Sequence, residues 1–131
     1  MPPEYAPGSA QDWFSRAQGK LLLARLPLPE GGYWEDLCYL AQQAAELAVK
    51  AVYQQHGWRF AFVHDLRHLL DGLERNGMNV PERVREAERL TLFATQMRYP
   101  GMSGSTTEEE YSRMLSVAET VVAWARDILG S

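Results

Sequence analysis

The sequence predicts an all-α protein, an up-and-down bundle of four to five helices. Apolar residues recur every three or four positions along most of the chain, which gives each segment one stripe to bury. Short clusters of proline and glycine separate the segments, as expected for antiparallel neighbours. No useful length of chain alternates apolar and polar residues with the period of two that a strand requires.

The first predicted helix runs from about Gln11 to Leu26, where Pro27 and the residues after it stop the helix. The second runs from about Trp34 to Gln55, and its many alanines favour the close approach of a neighbouring helix. Glu46 and Lys50 on this helix are spaced to pair across one turn, which predicts a surface ion pair.

The third predicted helix starts near His64 or Asp65 and ends at the Asn76-Gly77 pair. A fourth starts at Pro81, since a first helical turn needs no amide donor, and runs to about Gln96. The fifth has the capping-box spacing of Thr107 and Glu110 and continues to Leu129. The residues expected to face the core from these helices are Leu66, Leu69, Leu70, Leu73, Val84, Ala87, Leu90, Tyr111, Met114, Leu115, Ala118, Val121, Val122, Ala125 and Leu129.

Length and composition predict one domain over residues 11–131, preceded by a flexible tail over residues 1–10. No apolar run is long enough to span a membrane. The single cysteine, Cys38, excludes an intrachain disulfide and fits a cytoplasmic protein. A net charge of −4 argues against a general nucleic-acid coat but allows a local cationic site.

Three stretches resemble the HEPN family, in the family's order: residues 42–51 (QQAAELAVKA), residues 63–70 (VHDLRHLL) and residues 97–100 (MRYP). This resemblance implies a helical bundle that forms a homodimer. It further implies that a minimal nucleotidyltransferase is a candidate antitoxin partner. Active members of the family are metal-independent ribonucleases, with an Arg and a His separated by four to six residues; others bind nucleotides.

Arg59 and His64 have four residues between them and are the candidate catalytic pair. His64 would act as general acid or base, and Arg59 would bind phosphate. Two features oppose this assignment. Phe60 stands where active members carry a polar residue, and five steps along one helix would leave the two side chains about 140° apart. In the alternative interpretation Arg59 is solvated and His64 only caps or packs the helix start.

Arg98, Lys50 and Asp65 are the candidate residues for binding phosphate or a nucleotide. Arg98 could instead pair with a carboxylate and tie the end of the fourth helix to the bundle. His64 and His68 have the spacing of a metal-binding helix pair, but a convergent third ligand is missing, so no metal and no cofactor is predicted.

The sequence therefore predicts a protein of a toxin–antitoxin or nucleotide-processing system that binds RNA or a nucleotide in a dimer cleft, with metal-independent RNA cleavage as the activity to test. The alternative is a non-catalytic module that binds a nucleotidyltransferase partner or a nucleotide effector.

Overall fold

A computed structural model describes residues 4–91 and 106–130, and all regular structure in those ranges is helical. The elements are α1 Ala10–Ala24, α2 Trp34–His56, α3 Leu66–Arg75, α4 Glu82–Arg85, the 3-10 segment η1 Glu86–Leu90, and α5 Glu108–Leu129. The predicted all-α bundle is confirmed. Within the described ranges, no helix combines the length and the apolar character needed to cross a membrane.

The central helix is α2, which packs against both α1 and α5. Its buried positions are mostly alanine and valine, and small side chains let neighbouring helices approach closely. The leucines of α3, the next helix in the chain, pack into the same core. The apolar side chains with no exposed surface that these two helices contribute are Cys38, Ala41, Ala44, Ala45, Ala48, Val49, Ala51, Val52, Leu66, Leu69, Leu70 and Leu73.

Local sequence determines where α1 ends and where α5 begins. The first helix stops at Ala24, two residues before the predicted end at Leu26, because the residue before Pro27 is disfavoured in helical backbone. The predicted capping box of α5 is confirmed: the Thr107 hydroxyl accepts from the Glu110 amide at 3.1 Å, and the Glu110 carboxylate accepts from the Thr107 amide at 3.3 Å.

The predicted fourth helix is divided between α4 and η1. Its three inward residues, Val84, Ala87 and Leu90, are fully buried and stand three positions apart. A 3-10 helix has three residues per turn and stacks such positions on one face, and an α-helix also keeps neighbours three positions apart close together, so the spacing fits both segments. The predicted continuation to Gln96 lies outside the described residues.

Candidate functional site

The segment between α2 and α3, residues 57–65, carries both Arg59 and His64 and is not helical. Asp65 is the N-cap of α3, and its carboxylate accepts from the amide of Arg67 at 3.0 Å. The predicted helix start at His64 or Asp65 is therefore placed slightly too early. Since neither candidate catalytic residue lies on a helix, the 140° separation expected on one helix does not apply to them.

The imidazole of His64 is held by the carboxylate of Glu46 on α2. The Nδ1 atom lies 3.0 Å from Glu46 Oε1 and 3.1 Å from Oε2. An ionised carboxylate only accepts hydrogen bonds, so Nδ1 carries the proton that is donated. This fixes the tautomer, leaving Nε2 as the ring nitrogen available for chemistry. The His64 side chain is 78% exposed.

Glu46 is itself fixed by two donors on the same helix. Lys50 Nζ donates to Oε2 at 2.9 Å, and Gln42 Nε2 donates to Oε1 at 3.1 Å. The Glu46 and Lys50 side chains are only 8% and 7% exposed, so the predicted pairing exists but its expected surface location is wrong. A buried carboxylate with three donors has little freedom to reorient, and this restricts the His64 ring that it holds.

Aromatic side chains close over the Lys50 ammonium and anchor the segment 57–65. The ammonium lies 5.5 Å from the Phe60 ring centroid and 6.0 Å from that of Trp13, within the range of cation–π attraction. Phe60 also meets Trp13 and Tyr53 edge to face, at 5.6 and 5.5 Å between centroids. Phe60, whose apolar character was counted against catalysis in the sequence analysis, therefore has a structural role in this segment.

A pocket of about 460 Å³ lies between α1 and α2, with His64 on its wall. Its volume falls within the roughly 300–1,000 Å³ of typical small-molecule sites. The lining residues are Arg16, Gly19, Lys20, Leu23, Gln43, Glu46, Leu47 and His64.

The pocket is cationic although the whole chain carries a net charge of −4. Arg16 and Lys20 stand one turn apart on α1, while the charge of Glu46 is balanced by Lys50. Arg16 pairs with Asp12 at 3.1 Å yet remains 70% exposed, so its guanidinium can still turn to a ligand. Two cations and a histidine around one cavity are suited to an anion such as a phosphate group.

The model of the HEPN domain matches residues 10–128 of this sequence. The chain belongs to the HEPN family. The archaeal HEPN homologue ST0689 has a crystal structure that superimposes with a TM-score of 0.73 at 29% identity, covering 92% of this chain and 98% of that one. The crystal structure of TT1696 from Thermus thermophilus superimposes with a TM-score of 0.80 at 30% identity, covering 93% and 99%. No curated protein matches the sequence.

Arg59, Asp65 and Lys50, the other predicted site residues in the described ranges of this HEPN protein, have different surroundings. Arg59 is exposed on the segment 57–65, Asp65 caps α3, and Lys50 is buried against Glu46. Arg98 lies outside the described residues. His68 is exposed on α3, and no group of three or more metal-ligating side chains occurs in residues 4–91 and 106–130.

Sequence reasoning missed Arg16, Lys20 and Gln42. A signal for Gln42 was present, because Gln42, Glu46 and Lys50 follow each other at intervals of four residues and form a polar row on an otherwise alanine-rich helix. Arg16 and Lys20 have the same interval on α1. Their meeting with Glu46 and His64 depends on how α1 packs on α2, which local patterns do not determine.

Proposed function

We propose that this HEPN protein binds the phosphate backbone of RNA in the pocket between α1 and α2, and cleaves the RNA there without a metal ion. The single observation that carries the proposal is the buried Glu46 carboxylate holding Nδ1 of the exposed His64 on the wall of a cationic pocket. A buried carboxylate that orients an imidazole is the arrangement that general acid–base catalysis uses.

The reaction needs no group that the chain lacks. The 2′-hydroxyl of the RNA attacks the adjacent phosphorus, and its proton passes to Nε2 of His64. The bond from phosphorus to the 5′-oxygen breaks, that oxygen takes a proton from water, and the hydroxide left behind removes the proton from Nε2 of His64. The products are a 2′,3′-cyclic phosphate and a 5′-hydroxyl end. Lys20 and Arg16 stabilise the charge that grows on the phosphoryl oxygens in the transition state.

Lys50, which the sequence interpretation assigned to phosphate, takes the role of fixing Glu46, because its ammonium is buried and already donates to that carboxylate. Arg59 remains a candidate phosphate contact, since it is exposed on the segment that ends at His64. Asp65 is assigned to capping α3.

The proposed working unit is a homodimer within a toxin–antitoxin or nucleotide-processing system. Three leucines around the end of α1 support a protein interface, because Leu22, Leu23 and Leu26 are 62%, 46% and 54% exposed. Clustered exposed apolar residues are typical of surfaces that bind another protein. Sedimentation of the wild type and of a Leu22→Ser/Leu26→Ser variant tests this part: a dimer that becomes a monomer supports it, and a wild-type monomer contradicts it.

The test of catalysis is cleavage of single-stranded RNA in excess EDTA, with product ends identified by mass spectrometry. We expect cyclic-phosphate ends from the wild type, and loss of roughly 100-fold or more of the rate in His64→Gln, the scale of one general acid–base group. The matched control is His68→Gln, because His68 is also exposed but lies outside the pocket. Equal rates in the His64 and His68 variants would contradict the proposed role.

The two cations are tested by binding. Lys20→Ala and Arg16→Ala should weaken RNA binding and flatten its dependence on salt, whereas Arg113→Ala removes the same charge from an exposed position on α5 and should do neither. If the wild type binds RNA through these cations and leaves it intact, the protein is instead a non-catalytic module for a nucleotide or for a nucleotidyltransferase partner.

A further inference from the structure

The side chain of Phe62 is 95% exposed, more than any other large apolar side chain in residues 4–91 and 106–130. An isolated exposed apolar residue needs no special explanation. Phe62 differs because it lies on the segment 57–65, two residues before His64, so the two Cα atoms are at most about 7 Å apart. Its ring is therefore within one nucleotide's reach of a phosphate bound at His64.

The Phe62 ring meets the Phe60 ring in an edge-to-face arrangement, with 6.2 Å between centroids and an interplanar angle of 70°. Phe60 in turn rests on Tyr53 and Trp13. A single hydrogen bond closes a turn around Phe62: the Val63 amide donates to the Ala61 carbonyl at 2.8 Å. Because the ring is 95% exposed, a nucleobase can stack on it without displacing another side chain.

Polar and aromatic side chains alternate along this segment. Arg59 is exposed before Phe62, and His64 is exposed after it. A cation beside an exposed aromatic ring is the pattern by which proteins hold single-stranded nucleic acid, since every base offers a face to stack and every linkage offers a charge. In a duplex the bases are already stacked and cannot reach such a ring.

We propose that Phe62 stacks on an unpaired nucleobase next to the phosphate held by Lys20 and Arg16, which makes single-stranded RNA the substrate class of this site. This inference rests on the proposed function, because it takes the phosphate site as given. It adds a contact to the base that a site for bare phosphate or for duplex RNA does not need.

The experiment measures binding by fluorescence anisotropy with an eight-residue 2′-O-methyl oligouridine, which lacks the attacking hydroxyl and stays intact. An abasic oligomer of the same length and an eight-base-pair duplex of the same chemistry are the comparison ligands. We expect the wild type to bind the single strand roughly tenfold tighter than the abasic strand, the scale of one stacked base. We also expect it to prefer the single strand over the duplex.

Phe62→Leu keeps apolar bulk and removes the aromatic face, so it should lose that tenfold preference while binding the abasic strand as the wild type does. Phe62→Tyr should retain the preference. The control Tyr33→Leu removes another exposed aromatic ring, at the N-terminal end of α2, and should change nothing.

Three results would overturn the stacking role and leave the phosphate site standing. The first is equal binding of the base-containing and abasic strands, with Lys20→Ala weakening both. The second is equal weakening of both strands by Phe62→Leu, and the third is a smaller sedimentation coefficient for Phe62→Leu, which would make Phe62 a contact to a second copy of the chain. If the protein binds none of the three ligands, the phosphate site and the stacking role are both overturned.

Discussion

Replacing Glu46 by glutamine should destabilise the fold far more than loss of an ordinary ion pair does. The variant keeps the shape of the side chain but removes the charge opposite Lys50, whose side chain is only 7% exposed. Leaving one member of a buried pair without its partner costs about 3–5 kcal/mol, and the amide oxygen that remains in glutamine favours the lower end of this range. A domain with about 5–15 kcal/mol of stability should still fold with this loss.

The reverse replacement, Lys50→Met, should cost less. The Glu46 carboxylate would still accept hydrogen bonds from Gln42 and from His64. The double variant Glu46→Gln/Lys50→Met contains neither buried charge. It should therefore be more stable than Glu46→Gln alone, because a neutral buried pair carries no uncompensated ammonium.

The assay is urea unfolding followed by far-ultraviolet circular dichroism, with the slope against urea compared among variants. The control is Glu119→Gln, whose ion pair with Arg25 is 41% and 44% exposed and should contribute about 0–1 kcal/mol. The reasoning is refuted if Glu46→Gln costs no more than Glu119→Gln, or if the double variant is less stable than Glu46→Gln.

Three further predictions concern two helical glycines and the buried cysteine. A Cβ at Gly72 would collide with the buried Tyr53 hydroxyl, which donates to the Leu69 carbonyl at 2.6 Å, so Gly72→Ala should cost about 1–3 kcal/mol in urea unfolding. Gly19→Ala meets open space on α1 and should gain about 0.5–1 kcal/mol instead. Burial raises the pKa of Cys38 from 9.0 to about 12. Between these values the thiol is ionised in the unfolded chain but not in the folded one, so the free energy of unfolding should be unaffected below pH 9 and fall as the pH rises toward 12. Cys38→Ala should reduce that fall in a pH series of unfolding curves, and the native thiol should not react with a disulfide reagent at pH 8.

Periodicity predicted the helices well because burial leaves a direct mark on local sequence. The leucines of α3 and the apolar stripe of α5 recur at helical intervals, and those positions are buried or partly buried in the structure. The division of the fourth helix was missed, although the equal spacing of Val84, Ala87 and Leu90 is compatible with a 3-10 segment. Residue spacing alone does not distinguish three residues per turn from 3.6 over so short a stretch.

The site was harder to predict because it depends on packing between helices. The spacing of Glu46 and Lys50 indicated a pair but not its burial, which the aromatic rings of Phe60 and Trp13 produce from other parts of the chain. His64 was selected through the family resemblance, while its hydrogen bond to Glu46 spans 18 positions in sequence. A local sequence pattern does not indicate a contact between residues so far apart in the chain.

The central claim is that a buried carboxylate fixes the His64 ring so that Nε2 faces the 2′ position of a nucleotide whose phosphate lies in the pocket. Nitrogen-15 NMR of the imidazoles, recorded while the uncleavable oligouridine is added, tests it most directly. We predict that Nδ1 of His64 is protonated before and after addition, that its Nε2 resonance shifts on binding, and that His68 does not respond. A His64 ring with an unprotonated Nδ1, or one whose resonances are unchanged at saturating RNA, would contradict the account.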